Sequence, residues 1–389
     1  MKSEPRIAFV TDVLPVIGGA EKTLFAALEC FPEADIFTLI YNKQAFVHTP
    51  LGKRKVFTSY LDKSPFIKSH YKLFLPLMPH AIERFDLAGY DIVVSFNYAV
   101  ANGVSAKGAK HFSYTHTPMR YAWSGFSVSG MKARTNLLLD RYLRAFRRWD
   151  KAAASHIYKF GAISDGIVDR IWSAYGRKAA VIYPPVEVER FHPDERRGGY
   201  YVVLSRLVAH KRVDLIVKAF SRLSLPLKII GDGPERKRLQ RLATGNIEFL
   251  GFQTDECVAE ILSQGRGFVC AAEEDFGIAM VEAQAAGCPV IALGKGGALE
   301  TVIENQTGLF FKEPTVDDIC EAVKCFEQRA ATFDRNDLMV SARRFSEGRF
   351  LEKFKSFIDD GEHRRRELPR PELEIRSSEV SHPLTLTND

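Results

Sequence analysis

Short apolar runs alternate with amphipathic stretches along most of this chain, the pattern of buried parallel strands joined by crossover helices. The cycle is most regular after residue 200. Strands are predicted at 201–204, 227–230, 247–250 and 268–271, with helices at 213–223, 234–242 and 255–262 between them. The earlier part reads the same way with more interruption: strands at 6–10, 35–41, 91–96, 111–115, 161–164 and 179–183, and helices at 20–30, 134–158 and 165–174. Residues 45–88 lack a clean period and contain Pro65, Pro76 and Pro79, so they read as an insertion of short helices rather than core. Pro184-Pro185 and the charged, glycine-containing run 187–199 mark a boundary. The expectation is α/β, with a first domain over 1–186 and a second over 187–345. Amphipathic helices follow at 315–330 and 344–358; the second carries Phe350, Phe354, Phe357 and Ile358 on one face. Residues 346–359 are expected to pack back towards the first domain. The tail, 360–389, is charged, poor in apolar residues and expected to be disordered.

One stretch organises the second domain: Glu273 to Gly287, followed by Cys288-Pro289 and a buried strand. Gly277 stands where a polar loop turns into a helix, and Gly287 then Pro289 end that helix. Ala279, Ala283 and Ala286 form a small-residue stripe suited to close packing. The helix N-terminus offers unpaired N–H groups and positive dipole density, an anion site. Glu274 lies just before it, and Glu282 lies roughly 8 Å further along the axis at helical rise. Two acceptor-only carboxylates thus flank a phosphate-friendly centre, each able to accept from a pair of hydroxyls. A sugar at each end of a diphosphate fits that layout. Taken alone, the pair reads as a surface acid and a solvated helical Glu, so its companions decide.

Those companions sit in other loops that follow strands. Arg206 and Lys211 are fixed cations on the loop after 201–204, suited to paired phosphates or to surface salt bridges. Gly231-Asp232-Gly233-Pro234-Glu235 is a tight turn into a helix, and Gly294-Lys295-Gly296-Gly297 is a backbone-rich loop on the same edge. In the first domain Gly18-Gly19 precedes a helix, without the G-x-G-x-x-G dinucleotide pattern. His116-Thr117-Pro118 ends a strand, where ligands sit in open α/β sheets but where structural histidines are also common.

Composition narrows the class. With 46% apolar and 26% charged residues in 389, the chain is a globular protein too long for one ordinary core. Its first residues are polar and no apolar run is long enough to span a bilayer, which predicts a cytoplasmic protein. The 6 cysteines (Cys30, Cys257, Cys270, Cys288, Cys320, Cys325) have no regular spacing, pointing to reduced, mostly buried thiols. The 10 histidines show no metal-ligand spacing, so no bound metal is expected. The net charge of +6 is modest, but it is concentrated. Lys53, Arg54, Lys55, Lys63, Lys68 and Lys72 lie among Phe57, Tyr60, Phe66, Tyr71 and Phe74; Arg141, Arg144, Arg147 and Arg148 share a helix with Tyr142, Phe146 and Trp149. These clusters fit an anionic membrane surface or a solvated face over a packed one. No nucleic-acid motif accompanies them.

Arg206 with Lys211, Gly-Asp-Gly-Pro-Glu at 231–235, and Glu274 and Glu282 with seven residues between them occur in the order of a known family. The set resembles retaining glycosyltransferases of family 4, which have the GT-B fold: two Rossmann-like doubly wound domains facing each other across a cleft. The resemblance covers residues 5–358. Asp275-Phe276-Gly277-Ile278, Ser205-Arg206-Leu207-Val208 with Lys211-Arg212, His116 to Tyr121, and Pro79-His80-Ala81-Ile82-Glu83 before Tyr90-Asp91 look most like bacterial mannosyltransferases that build cell-surface polysaccharides.

The resemblance implies an enzyme that moves mannose from GDP-mannose to a glycan or a polyprenyl-diphosphate-linked saccharide, with no cofactor. It places Gly18 and Gly19 against the donor diphosphate and the acceptor. Arg206 and Lys211 would bind the diphosphate, His116 would sit beside the reacting sugar carbon, and Ser164 would lie near the cleft. Glu274 would hold sugar hydroxyls, with Phe276, Gly277 and Ile278 contributing amides. Glu282 would bind the ribose, and the base would lie near Gly251 and Phe252. Asp275 and Ser205 stand where many members have Gly, which leaves the donor dependent on subfamily.

Other readings remain open on the residues themselves. A UDP-sugar could be the donor. A glycoside hydrolase could use Glu274 and Glu282, but its chemistry has no use for the nearby cations. A non-catalytic, membrane-attached nucleotide-sugar-binding module would keep Glu282 and Lys211 without needing His116 and Glu274.

Overall fold

The computed structural model describes residues 5–123, 137–194 and 198–359. Within them the chain forms two wholly parallel sheets. The first is seven-stranded, from β1 (Ile7–Thr11), β2 (Asp35–Thr38), β3 (Val56–Thr58), β4 (Ile92–Asn97), β5 (Lys110–Thr115), β6 (Lys159–Ala162) and β7 (Ala179–Val181), in the order β3-β2-β1-β4-β5-β6-β7. The second is six-stranded, from β8 (Tyr201–Leu204), β9 (Leu227–Ile230), β10 (Ile247–Gly251), β11 (Gly267–Cys270), β12 (Val290–Leu293) and β13 (Gly308–Phe311), in the order β10-β9-β8-β11-β12-β13.

Both sheets are covered on both faces, because alternate residues of one strand enter different cores. Phe9 packs with Phe96 and Phe112 on one side of the first sheet, while Ala8 and Val10 pack with Ile82 and Val93 on the other. Val202 and Tyr201 divide in the same way in the second sheet. Strand order reverses between β1 and β4 and between β8 and β11. Crevices for ligands open at such switch points. The loops after β1, β8 and β11 carry Gly18-Gly19, Arg206 with Lys211, and Glu274.

Several elements differ from expectation. The helix at the organising stretch is Ile278–Ala285, shorter than its glycine punctuation suggests, because Ala286 and Gly287 already turn out of it. The strand expected at 161–164 is β6, which ends at Ala162, since Ser164 is drawn off to cap the next helix. Strands β3 and β13 and the helix Arg335–Arg343 are additions. The region 45–88 is only partly an insertion: Phe46, Leu51, Leu61, Met78, Ala81 and Ile82 are buried. Its middle, Pro65–Ser69 and Tyr71–Leu77, buries no residue. The thiols are also more exposed than expected: Cys288 and Cys320 are buried, Cys325 is exposed and the others are intermediate. The start of the helix expected at 134 and the tail from 360 lie outside the described residues.

The helix Glu347–Ile358 packs on the first sheet, not the second. Phe354 meets Phe9, Phe31, Phe96 and Tyr114, and Phe357 meets Phe112. The chain therefore crosses between domains twice, at the 3-10 turn Val188–Arg190 and again near Ser346, which bridges to Val186.

Candidate active site

A cavity of 170 Å³ opens in the second domain at the switch point, lined by Ser205, Arg206, Lys211, Glu274, Gly277 and Ile278 among others. Lys211 ends the 3-10 turn Ala209–Lys211 after β8. Its Nζ donates to both carboxylate oxygens of Glu274 at 2.6 Å. Glu274 is fixed by its backbone: its carbonyl accepts from Gly297 N at 2.7 Å, tying the loop to the one after β12. Gly277 caps the helix Ile278–Ala285 at φ 92°, a left-handed conformation that glycine tolerates. The first turn of that helix thus faces the same cavity as the two cations.

The described lining of this cavity comes from the second domain, and the first domain comes close beside it. Gly18 caps the helix Gly19–Cys30, and a Cβ on Gly19 would stand 2.7 Å from Cδ1 of Ile278, so any side chain there would require the Ile278 side chain to shift. Glu21 folds back onto the amides of Gly18 and its own residue, as in a capping box. Burial pushes its carboxyl up to about 7, against the pull of Arg206 across the cleft. His116 follows β5, its amide donating to Asn97 O at 2.8 Å. Its Nε2 is buried with no hydrogen-bond partner among the described residues. Burial holds the imidazole down to about 4, with Asp275 opposing. The adjacent loop is organised by Asp12, whose buried carboxylate accepts from the amides of Tyr98, Ala99, Val100 and Ala101. Tyr98 then lies against the His116 ring.

The remaining expected residues are more dispersed. Ser164 is fully buried and spends its hydroxyl on Ile167 N at 3.3 Å. Gly251 ends β10 at φ 72°, and Phe252 beyond it projects a ring that is 86% exposed. The Phe276 side chain is turned away into an aromatic group with Tyr183 and Phe345. Glu282 does not line the cavity; it is buried and accepts from Arg190 Nη2 at 2.6 Å. Burial raises its carboxyl, with Arg190 opposing.

The structure adds residues that the sequence did not single out. Arg190 also reaches Asp255 at 2.7 Å, and Asp255 pairs with Lys22 at 3.2 Å. One charge chain therefore joins Glu282, the interdomain turn, the loop after β10 and the helix behind Gly19. Glu300 accepts from Asp165 N at 3.0 Å and Gly166 N at 3.3 Å, capping a first-domain helix from the second domain. Arg120 and Arg170 converge on Asp275. The sequence signals were Asp255 in a helical first turn, which carries only a dipole preference, and Arg120 within the His116 to Tyr121 segment, which does not indicate its partner. Among the described residues no group of His, Cys, Asp or Glu is gathered to hold a metal, and no helix is long and apolar enough to cross a membrane.

Two doubly wound domains, with the cavity at the switch point of the second sheet, form a GT-B architecture. Residues 188–339 match the family described as Glycosyl transferases group 1, so the chain is similar to the group 1 GT-B glycosyltransferases. Over 186 residues it is 36% identical to the GDP-mannose-dependent alpha-(1-6)-phosphatidylinositol monomannoside mannosyltransferase of Mycobacterium tuberculosis, covering 40% of this chain and 48% of that protein. The chain thus spans about half the length of the curated relatives it matches. The whole fold is shared with the lipopolysaccharide outer core galactosyltransferase WaaB at TM-score 0.64, 18% identity, covering 91% of this chain and 99% of that one. It is shared also with Anabaena Alr3699/HepE, solved with UDP and glucose, at TM-score 0.69, 17% identity, covering 92% and 100%.

Proposed function

We propose that this protein is a retaining hexosyltransferase that moves mannose from GDP-mannose to a hydroxyl of a glycan or lipid-linked saccharide. One observation carries the reading: Arg206, Lys211, the N-terminus of Ile278–Ala285 and Glu274 converge on one cavity, with Gly19 of the first domain against Ile278 on its wall. The cations and the helix amides suit a diphosphate, and Glu274 suits the hydroxyls of a sugar next to it. The mannosyltransferase named above supports mannose and GDP.

On this reading the bond between the sugar carbon and the diphosphate oxygen breaks first. Lys211, Arg206 and the helix N-terminus take up the charge on the leaving group, which is preorganised electrostatic stabilisation. The acceptor hydroxyl attacks from the same face, and its proton passes to the departing phosphate oxygen. His116, neutral at pH 7 because burial holds it at about 4, accepts or donates a hydrogen bond to the sugar rather than acting as a cationic acid. Lys211 exchanges Glu274 for phosphate during binding, which frees Glu274 for the sugar. Fixed cations neutralise the leaving-group charge, so no tightly bound metal is part of the proposal.

A UDP-sugar donor is the second reading, supported by the likeness to the structure solved with UDP and glucose. Calorimetry of the full chain against GDP-mannose and UDP-sugars decides. GDP-mannose should bind more tightly, and tighter binding of a UDP-sugar would overturn the choice. Binding without any sugar transfer in the presence of acceptor lipids would instead favour a non-catalytic module.

The acceptor side suggests a peripheral position on the inner face of the cell membrane. Between Pro65 and Leu77 nothing is buried, yet Phe66 is 59% and Leu73 71% exposed, with Lys68 and Lys72 also exposed beside them. Flotation with anionic vesicles should carry the protein up. Recovery that does not depend on anionic lipid would exclude this arrangement.

A further inference from the structure

Asp275 lies between Glu274 and the helix N-terminus, yet none of the steps above uses it. Its carboxylate crosses the cleft. Oδ2 pairs with Arg120 Nη2, Oδ1 accepts from Arg170 Nη1 at 2.7 Å, and Arg170 Nη2 also reaches Glu273 at 3.7 Å. Both arginines belong to the first domain: Arg120 opens the short helix after the His116 turn, and Arg170 lies on the helix capped by Ser164. The side chains of Arg120, Arg170 and Asp275 are 29%, 31% and 13% exposed, so this is not an ordinary surface pair.

We infer that Asp275 is a positioning residue: gripped by Arg120 and Arg170, it seats the second domain against His116 and keeps the cleft shut around Glu274.

Both ends of the grip are rigid. On one side Glu274, the preceding residue, bonds through its carbonyl to Gly297 and bridges to Gly296, so the loop cannot yield without moving the second domain. On the other side Met119 is buried and accepts from Ala122 N at 3.0 Å, which locks Arg120 to the His116 turn. The Asp275–Arg120 contact therefore sets the distance between His116 and Glu274. Each carboxylate oxygen is taken by one guanidinium, and Arg170 spans Asp275 and Glu273 with its two Nη atoms, which fixes the carboxylate in direction as a lysine would not. Glu300 on the capped helix and Ile278 against Gly19 complete the same closed face. The seating stands on this geometry alone. A second role, keeping water from the donor's reactive carbon, rests on the glycosyl-transfer reading.

The test compares Asp275→Asn with the parent, both as full chains without substrate. Small-angle scattering should give a larger radius of gyration for the variant. The His116 ring, followed by NMR titration, separates opening from simple charge loss. The Asp275 charge raises the His116 pKa and burial lowers it. Charge loss alone would move the titration down; opening would rehydrate the ring and move it up towards 6.5, the expected result. An unchanged radius with a downward shift would overturn the inference. Asp275→Glu should restore the parent values. The double variant Arg120→Lys with Arg170→Lys keeps the charge and removes the forks, and should open the cleft as well; if Asp275→Asn does not fold, this variant decides on the same two readouts. With a donor identified, hydrolysis relative to transfer should rise about tenfold in Asp275→Asn. Failure of every donor would sink the transferase reading and leave the scattering and NMR results to judge the grip.

Discussion

Lys211 Nζ lies 2.6 Å from each carboxylate oxygen of Glu274, so the candidate phosphate ligand and the candidate sugar ligand are direct partners. The two are joined across β8 and β11, neighbours at the switch point. Loss of either leaves the other as an unpaired charge with only 20% of its side chain exposed.

This pairing separates the two roles kinetically. Glu274→Ala should lower turnover by about 10²–10³-fold while weakening free GDP much less, since it removes contacts to the transferred sugar. Lys211→Met should lower both. Steady-state kinetics beside GDP calorimetry provide the check, and equal losses in Glu274→Ala would show that it does not hold the sugar.

A second prediction concerns Arg190 and Glu282. Arg190→Met strands a buried carboxylate and should cost about 3–5 kcal/mol of stability. The double variant Arg190→Met with Glu282→Leu removes both charges and should recover most of that loss in denaturant melts. If Glu282 serves the ribose, the double variant will still bind GDP poorly. Recovery of both stability and binding would make Glu282 purely structural.

Glu21 and His116 should bend the pH profile in opposite senses. Burial raises Glu21 from 4.5 to about 7, so the folded chain keeps a proton that the unfolded chain has lost. Its contribution is full below 4.5 and is lost as pH rises through 7. Burial lowers His116 from 6.5 to about 4, so its contribution is present above 6.5 and is lost as pH falls through 4. Relative to the parent, Glu21→Gln should gain melting temperature as pH rises across the first window. His116→Asn should gain as pH falls across the second. Curves parallel to the parent would contradict both assignments.

What was legible follows physical lines. Strands buried inside the sheet read as largely apolar runs, so β8, β9 and β11 are visible with their loops, and the cations and acids on those loops come with them. Short edge strands such as β3 have no such run: Val56 and Phe57 are half-buried and Thr58 is exposed. Arg190 was hidden for a different reason. Its partners, Glu282 and Asp255, come from two separate helices, and no local period marks an ion pair that exists only once those helices meet. Arg120 lies inside the His116 to Tyr121 segment, but its partner Asp275 is 155 residues away. Glu282 shows the reverse case: spacing made it a ligand candidate, whereas burial and Arg190 govern its surroundings.

The return of Glu347–Ile358 to the first sheet has a consequence for synthesis. Phe9, Phe96, Phe112 and Tyr114 emerge early from the ribosome, but the rings that cover them, Phe354 and Phe357, are translated only after the whole second domain. The first domain cannot close its core cotranslationally by itself. Until the last helix arrives, an aromatic face stays available to chaperones or to neighbouring chains, so the order of assembly runs opposite to the order of the sequence.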